Sequence, residues 1–381
     1  MTKRVIEASH AIALGAKLCR PDVIPMYPIT PQTHVVEHLA EFINNGEMKC
    51  AMVDVESEHS ALSALLGSVA AGSRTFTATS SQGLALMYEI LPIVSGMRLP
   101  GVMAVANRSL SAPISIWNDH SDAVSARDQG WIQLWVESSQ EALDAVIQGT
   151  KISEDKGICL PLMVCFDGFT LSHVFEPVDI PDEKAVDAFL PGFKPRYKLD
   201  IKNPMTFGPI GLPDSYMHFR KHQQDAMEKA LGVIGKVDKS FKKAFGRGYG
   251  SGLVDLYRMD DAEYAVMGMG TLCGTARVAI DKLRGQGKKV GLIRLRSLRP
   301  FPEKELQAAI KNLKALAVID RHISLGQEGP LFTDVRSAVY CNDITINGYI
   351  AGLGGRDITS KMFEKVFADL EKGKQKGEWL F

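Results

Sequence analysis

The run KCAMVDVESEHSALSALLGSVAAGSRTFTATSSQGLALMYEILPIVSGMRLPGVMAVANR, residues 49–108, decides the reading of the fold. It alternates between two kinds of segment. Lys49–Val55 reads as a strand, and Ala61, Leu62, Leu65, Leu66 and Val69 then recur at helical spacing. Thr75–Thr79 is β-branched and strand-like, Leu84–Met97 is a mostly apolar helix candidate, and Gly101–Ala106 is an apolar strand. Strands that are apolar without interruption are buried on both faces, which implies a parallel sheet covered by helices on both sides. Further along, Trp131–Val136 and Pro161–Phe166 read as strands separated by the helical stretch Gln140–Ser153. Ligands of such open sheets bind beyond the carboxyl ends of the strands, so the segments that follow each strand are where chemistry is expected.

Upstream, Met1-Thr2-Lys3-Arg4 runs straight into mixed helical sequence. Downstream, residues 176–213 contain Pro177, Pro181, Pro191, Pro195, Pro204, Pro209 and Pro213 and read as an extended, irregular connector. His218–Phe245 is polar and helical, and the lysines of Lys236–Arg247 read as a solvated surface. A second alternating unit begins near Glu263. Its strands are Tyr264–Met267, Val290–Leu295, Ala315–Ile319 and Asp343–Tyr349, and its helices Thr271–Arg284, Glu303–Asn312, Leu331–Tyr340 and Thr359–Glu371. The expected class is α/β. A doubly wound parallel-sheet domain with the proline-rich connector occupies residues 1–245, and a smaller α/β domain residues 246–381. No internal repeat is visible.

The 381 residues suffice for about two domains with sizeable cores. With 44 basic and 44 acidic residues the chain is neutral, which argues against a nucleic-acid binder and against charged disordered tails. No apolar run approaches the ~18 residues that span a bilayer, and no secretory leader is apparent, so a cytoplasmic protein is expected. Six cysteines (Cys19, Cys50, Cys159, Cys165, Cys273 and Cys341) include no Cys-x-x-Cys pair and fit neither a zinc nor an iron–sulfur site. They read as free, mostly buried thiols.

Four segments after the strands of the first unit could carry chemistry. In Tyr27-Pro28-Ile29-Thr30-Pro31 two prolines restrict the backbone around the Thr30 hydroxyl, though an ordinary proline-rich turn reads the same way. Val53–Ser60 places Glu56 and Glu58 at a helix start, where acids either complement the helix dipole or face a ligand. Thr79-Ser80-Ser81-Gln82-Gly83 offers small polar residues and close backbone approach, or a plain turn. Arg108 suits bidentate binding of a carboxylate, or a structural ion pair. The string Ile116–Asp122 reads as a loop and not as a metal site, since no third strong ligand stands at helical spacing. Gly268-x-Gly270-x-x-Cys273 mimics a dinucleotide fingerprint, but its third glycine is replaced and the next strand ends in Arg294 and Arg296, which argues against NAD there.

Read together and in order, these strings resemble the alpha subunit of the 2-oxoacid:acceptor (pyruvate:ferredoxin-type) oxidoreductases. The resemblance rests on Tyr27–Pro31, Val55–Ala61 followed by Ala70-Ala71-Gly72, Thr79–Gly83, Leu99-Pro100-Gly101 with Ala106-Asn107-Arg108, and Ile116–Asp122. It continues through Asn203–Pro209, Gly270–Ala276 and Leu295–Pro302, so it covers roughly 300 residues. It implies a thiamine-diphosphate-enzyme pyrimidine-type domain followed by a transketolase C-terminal-like domain. Glu58 matches the glutamate that contacts N1′ of the thiamine aminopyrimidine and promotes the imino tautomer that generates the thiazolium carbanion. Arg108 matches the arginine that binds the 2-oxoacid carboxylate, and Thr30 the threonine beside it, which favours a monocarboxylic substrate such as pyruvate. Ser81 and Asn118 are further cofactor-binding candidates.

The resemblance also accounts for what is missing. The Gly-Asp-Gly segment that holds Mg²⁺ and the diphosphate, and the cysteines for [4Fe–4S] clusters, lie on beta, gamma and delta chains in the family's split forms. The implied enzyme oxidatively decarboxylates a 2-oxoacid with coenzyme A to acyl-CoA and CO₂, passes electrons to ferredoxin or another acceptor, and is inactive without its partners. As a synthase the enzyme runs in the reverse direction. Within the family a branched-chain or aryl (phenylglyoxylate-type) 2-oxoacid, or NAD as final acceptor, is the alternative. Outside it, the alternative is a non-catalytic scaffold subunit.

Overall fold

A computed structural model describes residues 2–381, and in it the apolar runs form two main sheets. The first has the order Ser297–Arg299, Ile132–Trp135, Leu162–Asp167, Val102–Asn107, Phe76–Thr79; its last four strands are parallel and the first is antiparallel to its neighbour. The second has the order Trp379–Leu380, Thr345–Ala351, Ala315–Asp320, Tyr264–Gly268, Val290–Leu295, Val254–Tyr257, and only Val254–Tyr257 runs antiparallel to its neighbour. A parallel pair, Val23–Met26 with Ala51–Asp54, is tied to the first sheet by a bridge from Val23 to Thr75.

The two-residue period of a strand assigns each side chain to a layer. Val102, Ala104 and Ala106 enter an outer apolar layer with the helices Ala8–Cys19, Ser139–Ser153 and Tyr216–Phe245. Met103 and Val105 point the other way, into a layer that also takes Met267, Ile293, Leu316 and Val318 of the second sheet. The opposite face of that sheet, with Val266, Leu292 and Ala317, packs against Ala276 and Phe363 of the helices Leu272–Gly285 and Ser360–Glu371. The two sheets therefore share one continuous middle layer, and the second unit is not a loosely tethered module.

Charge reinforces the junction. Glu141, in the first turn of Ser139–Ser153, is fully buried between Arg294 and Arg296. Arg296 donates to Glu141 (2.7 Å), to the Gly252 carbonyl (2.9 Å) and to Gln148 (2.9 Å), while Arg294 donates to Glu141 and to the Trp135 carbonyl. The two arginines that speak against a dinucleotide fingerprint are thus the cations of a buried junction.

Three local expectations need correction. Residues 2–7 are not helical. Thr2–Glu7 is a strand paired antiparallel with Phe175–Ile180, and the helix starts only at Ala8. The connector is correspondingly shorter, because Phe175–Ile180 and a helix, Glu183–Phe189 capped by Asp182, occupy its first part. The pairing joins segments more than 160 residues apart, so no local pattern announces it. The helix expected over Leu84–Met97 is broken into Ser81–Leu86, a short 3-10 turn Met87–Glu89 and Leu91–Gly96, with Pro92, which lacks an N–H, in the first turn of the last piece.

Candidate functional site

The site lies where the carboxyl ends of the strands converge. Glu58 opens the helix Glu58–Ala70, whose N-cap Ser57 accepts from the Ser60 N–H at 3.2 Å. The Glu58 side chain is 7% exposed, and its carboxyl forms no hydrogen bond or ion pair among the described residues. It lies directly over Gly83. A Cβ there would come 2.8 Å from Glu58 Oε1 and 2.5 Å from Thr79 Oγ1, so only glycine leaves the carboxyl its place.

Arg108 follows the strand Val102–Asn107 and is 8% exposed. Its Nη1 donates to the Thr30 carbonyl at 2.7 Å, and its Nε has no partner. Burial lowers the guanidinium pKa, and the nearby carboxylates of Asp122 and Glu58 oppose that shift. Thr30 is exposed and meets Arg108 through its main-chain carbonyl.

Ser81 is fully buried with φ at +46°, and its hydroxyl donates to the Ser109 carbonyl at 2.7 Å. Asn118 is 1% exposed, its Nδ2 is unpartnered, and its carbonyl accepts from the Gly355 N–H at 2.7 Å. The structure thus brings Glu58, Arg108 and Thr30 to one rim. It makes Ser81 part of that rim's frame and hangs Asn118 between the two units.

Five residues to which sequence reasoning gave no role of their own complete the arrangement. Asp122, buried, accepts four hydrogen bonds: from Asn107 Nδ2 (2.8 Å) and the Ala123 N–H (2.7 Å) on one oxygen, and from the Ser81 (2.9 Å) and Arg108 (3.0 Å) N–H groups on the other. Burial pushes its pKa up to about 6, partly offset by these donors. Asp167 ends the strand Leu162–Asp167 and receives His120 Nε2 (2.9 Å), the Thr271 N–H (2.9 Å) and hydroxyl, and Arg321 Nη1 (2.9 Å). Burial works against its ionisation, but Arg321 and His120 hold it well below the usual carboxylate range. Thr79 Oγ1 and Ser80 Oγ are buried without partners, as is Asn107 Oδ1. The available signal was positional: Asp167 is a lone acid closing an apolar strand, and Asp122 closes a polar loop string.

Residues 14–239 match the family described as pyruvate flavodoxin/ferredoxin oxidoreductase, thiamine diP-bdg, and residues 262–363 match pyruvate:ferredoxin oxidoreductase core domain II. The chain is 50% identical over 377 residues to pyruvate synthase subunit PorA of Methanosarcina barkeri, covering 98% of this chain and 94% of that protein. It is 48% identical over 380 residues to the PorA subunit of Methanothermobacter thermautotrophicus, covering 100% and 98%. The ketoisovalerate oxidoreductase subunit VorA of Pyrococcus horikoshii is 43% identical over 379 residues, covering 99% and 95%. Among solved structures, a 2-oxoglutarate:ferredoxin oxidoreductase from Magnetococcus marinus superposes with a TM-score of 0.76 at 19% identity, a likeness of fold; it covers 97% of this chain, which spans 65% of that one. The chain belongs to the pyruvate flavodoxin/ferredoxin oxidoreductase family, as an alpha subunit that carries its thiamine-diphosphate-binding domain.

Proposed function

We propose that this chain supplies the 2-oxoacid-binding wall of an active site completed by a beta subunit, and that the assembled enzyme interconverts pyruvate, coenzyme A and two oxidised one-electron acceptors with acetyl-CoA, CO₂, a proton and two reduced acceptors. One observation carries the reading. Glu58 and Arg108, both buried and free of opposite charge at hydrogen-bond distance, sit with the unpartnered polar atoms of Thr79, Ser80, Asn107 and Asn118 around the strand ends. Buried polar atoms without partners are costly in a fold and are expected where a ligand supplies the missing bonds.

That donor set fits thiamine diphosphate and a 2-oxoacid. Glu58, kept clear by Gly83, would meet the aminopyrimidine at N1′ and hold a proton there. When bound, thiamine diphosphate supplies the nucleophilic carbon that adds to the 2-oxo carbon and accepts the electrons left by departing CO₂. Arg108 binds the substrate carboxylate through the guanidinium positions left free, with Thr30 beside it. Ser81 acts through the frame, and Asn118 offers its free amide to the cofactor. Mg²⁺ and the [4Fe–4S] clusters are assigned to beta and delta partners, with a gamma chain in the assembly and ferredoxin as acceptor in the cytoplasm. Phe245, the last residue of a helix seated on the first core, marks our boundary between a domain of residues 1–245 and one of 246–381.

A branched-chain 2-oxoacid is the second reading, supported by the full-length likeness to a ketoisovalerate oxidoreductase subunit. Anaerobic co-purification of the tagged native chain, followed by a 2-oxoacid panel with CoA and viologen dye, tests both. Iron-containing partners and fastest CoA-dependent dye reduction with pyruvate support the first reading. A preference for 2-oxoisovalerate selects the second. A lone, inactive chain from cells that make the partners would leave only a scaffold role.

A further inference from the structure

Asp122 differs in its partners from two other buried carboxyls, Glu141 and Asp167. Glu141 and Asp167 each receive a cationic side chain, whereas Asp122 accepts only from main-chain N–H groups and one amide. Its bond to Arg108 goes to that residue's main-chain N–H, so the guanidinium stays available to another anion. The same oxygen takes the N–H of Ser81, at the head of the turn whose Gly83 makes room for Glu58. Asp122 is therefore a bracket between the segment that carries Arg108 and the turn beneath Glu58.

The segment that carries Asp122 is itself gripped by the second unit. The Asn118 carbonyl accepts from Gly355 N–H at 2.7 Å, Asp119 Oδ2 from Gly354 N–H at 3.3 Å, and His120 N–H donates to the Arg321 carbonyl at 2.9 Å. His120 Nε2 is also fixed on Asp167, 2.9 Å away. A carboxylate buried without a cation costs stability, and an apolar or amide side chain would fill the space more cheaply if shape alone were needed.

We propose that Asp122 is a positioning residue for the 2-oxoacid reaction, which sets where Arg108 meets the substrate carboxylate and which the second unit holds in place through Asn118–Asp122. The inference rests on the role of Arg108 given above.

Asp122→Asn keeps the shape. Each Asp122 oxygen receives two donors, so whichever becomes the amide nitrogen faces two N–H groups. The test is a double-mutant cycle in the co-expressed complex: Asp122→Asn, Arg108→Ala and the pair, with KM for pyruvate, KM for CoA and kcat measured for each. We expect Asp122→Asn to raise the pyruvate KM about tenfold with the CoA KM unchanged, and to add nothing in the Arg108→Ala background. A merely structural Asp122 gives additive effects, or raises both KM values while lowering kcat, and either result overturns the proposal. If the Asp122→Asn complex does not assemble, Asp122→Ser, which removes the carboxylate without placing an amide N–H against the donors, runs through the same cycle, and additivity there overturns it equally. An unchanged pyruvate KM in Arg108→Ala alone instead sinks the carboxylate assignment, which separates the two failures.

Discussion

Arg294 and Arg296, buried where the second unit joins the first, share Glu141 between them, and Arg294 lies 3.4 Å from Glu137 as well. Arg108 is nearly as buried and has no carboxylate at ion-pair distance among the described residues; one carbonyl is the whole hydrogen-bond set of its guanidinium. The first pair of cations is consumed in holding two units together. The single cation at the strand ends keeps its capacity. Buried charge is therefore no guide to function until its partners are counted, and the difference between saturated and unsaturated charge separates frame from site.

The largest expected effect tests the unsaturated side. Glu58→Gln should lower dye-reduction turnover by about 10²–10⁴-fold, the usual worth of a positioned acid–base group, with the complex assembled as before. Full activity in that variant removes Glu58 from the cofactor. On the saturated side, Glu141→Gln takes the shared carboxylate from two buried arginines, of which Arg294 keeps Glu137. It should cost about 3–5 kcal/mol in denaturant unfolding while the pyruvate KM stays put. A change in KM without loss of stability would break the distinction drawn here. Arg108→Ala should do the reverse: a KM for the 2-oxoacid raised about 10–100-fold, as expected for a lost charge-assisted bond, with no loss of stability.

The smallest effect is in acid. Burial pushes the His322 pKa down to about 4 from an ordinary 6.5, so the folded state prefers the neutral ring. The stability it contributes is complete above pH 6.5 and is lost as pH falls through about 4. His322→Gln should therefore show a shallower decline in Tm over that window. A Tm difference between the two proteins that stays constant with pH counts against this.

Much of the fold was legible because parallel strands are apolar throughout: Val102–Asn107 and Leu162–Asp167 coincide with expected strands to within a residue or so. The ribbon Thr2–Glu7 with Phe175–Ile180 was not, because it is a largely exposed, long-range pair in which neither strand carries a continuous apolar signal. For the candidate site, Glu58, Thr30 and Arg108 could be proposed from strings, since each stands within a few residues of a strand end. Asp122 and Asp167 could not be ranked above other acids, because what distinguishes them is which donors three-dimensional folding brings to their oxygens. Ser81 lay in a readable string, but that its hydroxyl is spent on Ser109 is a fact of tertiary structure alone.

Strand Ser297–Arg299 has a consequence for synthesis on the ribosome. It closes the edge of the first sheet by pairing with Ile132–Trp135, about 160 residues earlier in the chain. At usual elongation rates of about 5–20 residues per second, the nascent first sheet waits roughly ten to thirty seconds with an open apolar edge. An open edge is a template for strand addition by other chains. Organisms that make this subunit therefore have reason to shield the emerging chain during that interval, and a chain cut after Phe245 keeps the exposed edge permanently.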